Sequence, residues 1–166
     1  MKSSGMSRAG TSTAVPLENR EFFGSVERAT WARDNGCKWE LGDVHNCYYA
    51  ARAGSLEVLK WLREQNFAWN WLTCKTAAAN NHLELLQWAR MNGCPWDSWT
   101  TGGAAGSGNI EMLRWVISQD CGWHPNTCGF AAEQNRLETL VWLRENGAPW
   151  GWRTTAWAAR RGHLVG

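Results

Sequence analysis

Tryptophan returns in this chain at a fixed interval, and that interval limits the fold more than any other feature. Five segments have the form Trp-x7-Trp: WARDNGCKW (31–39), WLREQNFAW (61–69), WARMNGCPW (88–96), WVISQDCGW (115–123) and WLRENGAPW (142–150). Their opening residues Trp31, Trp61, Trp88, Trp115 and Trp142 are 30, 27, 27 and 27 residues apart. A period between 20 and 50 residues marks stacked supersecondary units, each covering its apolar face with the next. The segments account for ten of the fourteen tryptophans. A side chain with ~150–250 Å² to hide predicts that these ten form a buried ladder.

Two further columns keep the register and carry backbone information. The residues closing the Trp-x7-Trp helices are Gly36, Asn66, Gly93, Asp120 and Gly147; seven residues before each opening Trp stand Gly24, Gly54, Asn81, Gly108 and Asn135, then Gly162. Gly, Asn and Asp tolerate the left-handed conformation that ends a helix, so two stops per unit predict two helices per unit. The first runs through TCKTAAAN (73–80), TTGGAAGS (100–107), TCGFAAEQ (127–134) and TTAWAARR (154–161), with paired alanines that admit a close neighbour. The second, as in HLELLQWARMN (82–92) or RLETLVWLREN (136–146), has an acid in its first turn and Arg90 or Arg144 near its end, both favourable to the helix dipole. No copy shows the alternation a leucine-rich horseshoe needs, and helix stops within about a dozen residues exclude a coiled coil.

The strings AARAGSLEVL (50–59), AAGSGNIEML (104–113) and AAEQNRLETL (131–140), and the truncated AARRGHLVG (158–166), resemble the helical part of ankyrin repeats over roughly residues 20–166. The resemblance implies an all-α, right-handed solenoid of stacked helix-turn-helix repeats, and a non-enzymatic scaffold that binds a partner protein through loops and first helices. The familiar repeat has 33 residues and opens T-P-L-H-x-A; this unit has 27 and opens TCKTAA, TTGGAA or TCGFAA. Five of the missing residues fall after the closing Gly, where ankyrins carry a projecting hairpin, so the inter-repeat loops are expected to be short.

Catalytic and metal chemistry find little footing. The six cysteines occupy two repeat columns in which Phe67, Ala148, Thr101 and Thr155 replace them, and no C-x-x-C pair of the zinc type occurs. They read as buried thiols in a reducing compartment. His82 and His163 stand where second helices begin, and neither His45 nor His124 has a recurring nucleophile or carboxylate. GGAAGSG (102–108) lacks the Lys of a phosphate loop. The reading is therefore no enzyme, no cofactor and no metal.

The remaining tryptophans are not demanded by packing in every unit. Trp71, Trp99 and Trp152 fall in the short loops, and Trp157 lies on a first helix at the position of Thr76, Gly103 and Phe130. Exposed Trp is enriched at binding hot spots, and the expected partner-binding surface is Trp71, Leu72, Trp99, His124, Trp152 and Trp157. The plainer reading folds each loop indole over its own hairpin. A different class of ligand, carbohydrate or nucleic acid stacked on exposed Trp beside a basic end, is the alternative: residues 142–166 hold Arg144, Arg153, Arg160 and Arg161 against Glu145. Residues 17–166 carry 15 basic and 15 acidic residues, which gives no general pull toward nucleic acid.

Apolar runs are far below the ~18 residues that cross a bilayer, and no secretory signal is visible, so the expected location is the cytoplasm. Residues 1–16 are small, polar and aperiodic and are expected to be a disordered leader, with a short organelle-transit segment as the alternative. Residues 17–166 make about five units, the last stopping three residues into its second helix. Such an end belongs to a longer array, frays, or sits against a partner; the chain is expected to be monomeric unless that end self-associates.

Overall fold

The computed structural model describes residues 20–37, 39–152 and 154–156. Among the described residues every regular element is helical: a 3-10 turn, Arg20–Gly24, then α1 (Val26–Asp34), α2 (His45–Ala53), α3 (Leu56–Glu64), α4 (Trp71–Ala79), α5 (Leu83–Met91), α6 (Ser98–Ser107), α7 (Ile110–Ser118), α8 (Thr127–Glu133) and α9 (Leu137–Glu145). The even-numbered helices are the first helices of successive units and the odd-numbered ones the second.

The helix stops act through the backbone. Gly36, Asn66, Gly93, Asp120 and Gly147 have φ between 55° and 90°, and Gly54, Asn81, Gly108 and Asn135 between 54° and 83°. Gly24 departs from its column: it closes the 3-10 turn Arg20–Gly24 and is not left-handed. After each stop of a second helix the next amide reaches back five residues, from Cys37 to the Ala32 carbonyl, Phe67 to Leu62, Cys94 to Ala89, Cys121 to Val116 and Ala148 to Leu143. This is the helix-ending pattern whose last position favours an apolar side chain. The Cys/Phe/Ala column thus owes its chemistry to a helix terminus. Two of its thiols also donate to the carbonyl that starts the same unit's first helix, Cys94 to Asn70 at 3.4 Å and Cys121 to Asp97 at 3.2 Å. Burial raises the Cys47 thiol to about 12 and pushes Cys121 and Cys128 up; the described cysteines are free thiols.

First helices pack mainly on one another, α2 on α4, α4 on α6 and α6 on α8, and each also on the second helix that follows it. Small residues permit this: Ala50, Ala51, Ala77, Ala78, Ala104, Ala105 and Ala131 are fully buried, and a Cβ on Gly103 would stand 2.9 Å from the Lys75 carbonyl oxygen. Second helices supply the larger core side chains, such as Leu59, Leu62, Leu86, Leu113 and Leu143. Apart from α1 and α3, their backbones do not approach one another as the first helices do. The first-helix side is therefore the more closely packed.

The indole ladder differs from the expected buried row. Only Trp142 is buried; Trp39, Trp61, Trp69, Trp88, Trp96, Trp115 and Trp123 are partly covered against the core, and Trp31 and Trp150 are more than half exposed. Leu, Val and Met fill the interior of the second helices, leaving indoles for the seam between units. There the closing Trp of one unit meets the opening Trp of the next: Trp39 with Trp61 at 6.2 Å, Trp69 with Trp88 at 6.1 Å, Trp96 with Trp115 at 5.6 Å and Trp123 with Trp142 at 6.4 Å. Interplanar angles of 57–81° set edge toward face, the arrangement aromatic quadrupoles favour. Arginines cover the seam, Arg63 over Trp69 at 4.2 Å, Arg90 over Trp96 at 4.7 Å, Arg33 over Trp61 at 5.3 Å and Arg114 over Trp142 at 5.4 Å. Trp31 and Trp150 stand at the two ends of the ladder, where no seam partner is described.

A second register device joins units through the column after each first-helix stop. The His82 ring lies over Gly54 and the Arg136 side chain over Gly108, so that a Cβ on either glycine would collide. Where the stop is Asn81, the contact becomes a hydrogen bond, Asn109 Nδ2 donating to Asn81 Oδ1 at 2.7 Å. His82 therefore works as a spacer between units.

Candidate functional site

The first helices α4 and α6 begin two residues earlier than the threonine-led strings predict. Asn70 and Asp97 cap them, their side chains accepting from the backbone N–H groups of Leu72 (2.9 Å) and Trp99 (3.0 Å). This places Trp71 and Trp99 in first helical turns instead of loops. Both project from the first-helix side, 37% and 39% exposed. Between them lies Lys75, one turn beyond Trp71, its Nζ 5.9 Å from the Trp71 ring and 5.1 Å from that of Trp99. On the far side of Trp99 come His124 at 4.2 Å and Phe130 at 5.8 Å, themselves 5.3 Å apart. The result is a continuous strip, Trp71–Lys75–Trp99–His124–Phe130, crossing three units.

His124 is not the exposed contact expected of it. It is 7% exposed, packed between Trp99 and Phe130, with Nδ1 accepting from the Asn126 N–H at 3.0 Å and its carbonyl accepting from Thr127 Oγ1 at 2.7 Å. Burial depresses its pKa below the usual imidazole range, so the ring is a neutral wall that supports Trp99 and starts α8. Leu72 is half-buried. Trp152 is 76% exposed and lies beyond α9. Trp157 lies outside the described residues, as do Gly162, His163 and the leader. Of the six expected contacts, the structure brings together Trp71, Trp99 and His124.

Beside the strip, α4, α6 and α8 enclose a groove of about 610 Å³, with Trp99 and Phe130 as walls, Gly102, Gly103 and Gly106 of α6 along its floor, and Lys75 and Arg136 on its lining. Sequence reasoning missed Lys75, Phe130 and the glycine floor. A signal existed for Lys75, four residues after Trp71 and hence on the same helix face. The floor could be read only by noticing that α6 combines Gly at 102, 103 and 106, where α4 has Lys75, Thr76 and Ala79 and α8 keeps only the first, as Gly129.

The other histidine with a charged neighbour, His45, meets Asp43 Oδ1 at 2.6 Å, and the same carboxylate accepts the His45 backbone N–H at 3.0 Å; the pair starts α2. Among the described residues no group of three or more His, Cys, Asp or Glu is placed to hold a metal ion, and no helix is long and apolar enough to cross a membrane. No family model matches the chain, and no curated protein matches it.

Proposed function

We propose that this protein is a non-enzymatic recognition scaffold, an ankyrin-like array whose first-helix side binds a partner protein. One observation carries the reading: Trp71 and Trp99, bridged by Lys75, stand exposed on the first-helix side, where alanines already complete the packing. Large aromatic side chains left in water on a rigid surface are the usual anchors of an interface, and their helical footing keeps the ordering cost of binding low. The second-helix side, by contrast, spends its indoles on unit-to-unit contacts. Free buried thiols fit a reducing compartment such as the cytoplasm.

The test is affinity capture from native lysate with the wild-type chain against Trp71→Ala/Trp99→Ala/Trp152→Ala. The expected result is a protein retained by the wild type and lost from the triple variant, with far-UV circular dichroism unchanged. Equal capture by both would refute the surface. Bound material released steeply by added salt and sensitive to nuclease would place nucleic acid in the partner's stead.

A further inference from the structure

The floor of the groove contains a glycine that packing does not require. A Cβ on Gly102 would strike the Phe130 ring at 2.8 Å, and one on Gly103 the α4 backbone at 2.9 Å, whereas one on Gly106 would meet nothing closer than 3.8 Å. Glycine inside a helix weakens it relative to alanine, and a methyl on Gly106 would make only ordinary contacts with Phe130 and Gln134, so Gly106 forfeits helix stability that alanine could supply without a clash. The groove beside it is lined by Phe130 and by the cations Lys75 and Arg136. Among the described residues neither Lys75 nor Arg136 has a carboxylate within ion-pair distance: Lys75 rests on indole faces and Arg136 Nε donates to the Gly106 carbonyl at 3.4 Å. Glu133, the one carboxylate on the lining, is already engaged.

We infer that this groove receives a short acidic segment of the partner protein, with an aromatic or large aliphatic side chain laid over Gly106 beside Phe130 and carboxylates meeting Lys75 and Arg136. The inference rests on the recognition reading above and names the chemistry of its partner. The floor from Trp99 to Ser107 spans ~12 Å at 1.5 Å per residue, the length of about four extended residues. The surrounding charge argues against a polyanion: residues 17–141 hold 14 acidic and 11 basic residues, so a nucleic acid reaching past the groove would meet repulsion that a short acidic segment avoids. The groove lies open along one side, as an extended chain needs.

The experiment is selection of a randomised library of peptides of about seven residues, enough to overfill the groove, on the intact chain, followed by anisotropy titration of the best fluorescein-labelled peptide. Enriched sequences are expected to place Asp or Glu beside an aromatic or large aliphatic residue. Binding should fall about tenfold or more in Gly106→Met, which fills the floor, and in Lys75→Glu, which reverses one charge. Gly106→Met should melt no lower than wild type, which separates blocked binding from lost folding. Enrichment of basic or neutral sequences, no enrichment at all, or equal binding by both variants would overturn the inference. A lysate partner lost from the triple tryptophan variant but held by Gly106→Met would sink the groove and spare the scaffold; a partner indifferent to the tryptophans would sink the scaffold itself.

Discussion

The seam between units can be interrogated with Trp96 and Trp115, whose rings are 5.6 Å apart at 63°. Each indole is also partly covered by the core. With roughly 100 Å² or more of apolar surface hidden per ring, Trp96→Ala or Trp115→Ala should cost about 2–3 kcal/mol at ~25 cal/mol per Å². An edge-to-face pair contributes a further ~0.5–1.5 kcal/mol that belongs to neither residue alone. The double variant should therefore cost about 1 kcal/mol less than the singles combined. Trp61 and Trp115, two units apart and sharing no partner, should combine to within ~0.3–0.5 kcal/mol of additivity. Urea unfolding followed by far-UV circular dichroism is the suitable assay, since removing an indole disturbs fluorescence but not the helical signal. A coupling between Trp96 and Trp115 no larger than the control would refute the seam and return the indoles to separate roles.

Three other outcomes follow from individual side chains. The hydroxyls of Thr73 and Thr100 are buried without a hydrogen-bond partner whereas that of Thr127 donates to the His124 carbonyl, so Thr100→Val should raise stability by about 1 kcal/mol and Thr127→Val lower it by about 1 kcal/mol; equal shifts in a thermal melt would contradict the geometry. Because burial lowers the His124 pKa in the fold from the ordinary 6.5, the unfolded chain takes up the proton first. Its contribution is thus full above pH 6.5 and lost as the pH falls below it, and His124→Phe should flatten that acid limb of the stability–pH curve. Gly54 and Gly93 are both left-handed at φ 72° and 82°, but a Cβ on Gly54 would lie 2.4 Å from the His82 ring and one on Gly93 in open space. Gly93→Ala should cost about 1–2 kcal/mol of backbone strain and Gly54→Ala clearly more, with the excess recovered in Gly54→Ala/His82→Ala when measured by chemical denaturation.

The groove on the first-helix side is shaped by the residues by which α6 differs from its neighbours. In α4 the positions equivalent to Gly102, Gly103 and Gly106 are Lys75, Thr76 and Ala79, and in α8 they are Gly129, Phe130 and Glu133. The middle unit thus supplies the floor, the preceding one a cation and the following one a wall. A site built this way exists only in the stacked array.

The spacing of the tryptophans, the helix stops and the small first-helix residues could all be read along the chain, because each acts on its own few residues: a left-handed Asn81 ends α4 whatever lies beyond it. Two departures are local as well: Asn70 and Asp97 cap α4 and α6, which puts Trp71 and Trp99 in helical turns where the threonine-led strings predict loops, and Gly24 closes a 3-10 turn where its column predicts an α-helix stop. What the tertiary structure alone decided depends on partners 19 to 31 residues away, from Trp96 against Trp115 to Thr139 on the Gly108 carbonyl. At that separation the linear pattern states that an indole must be covered but not by what. Only the stacked units show that Trp96 lies against Trp115, that His124 is walled in behind Trp99, and that Gly106 is left open.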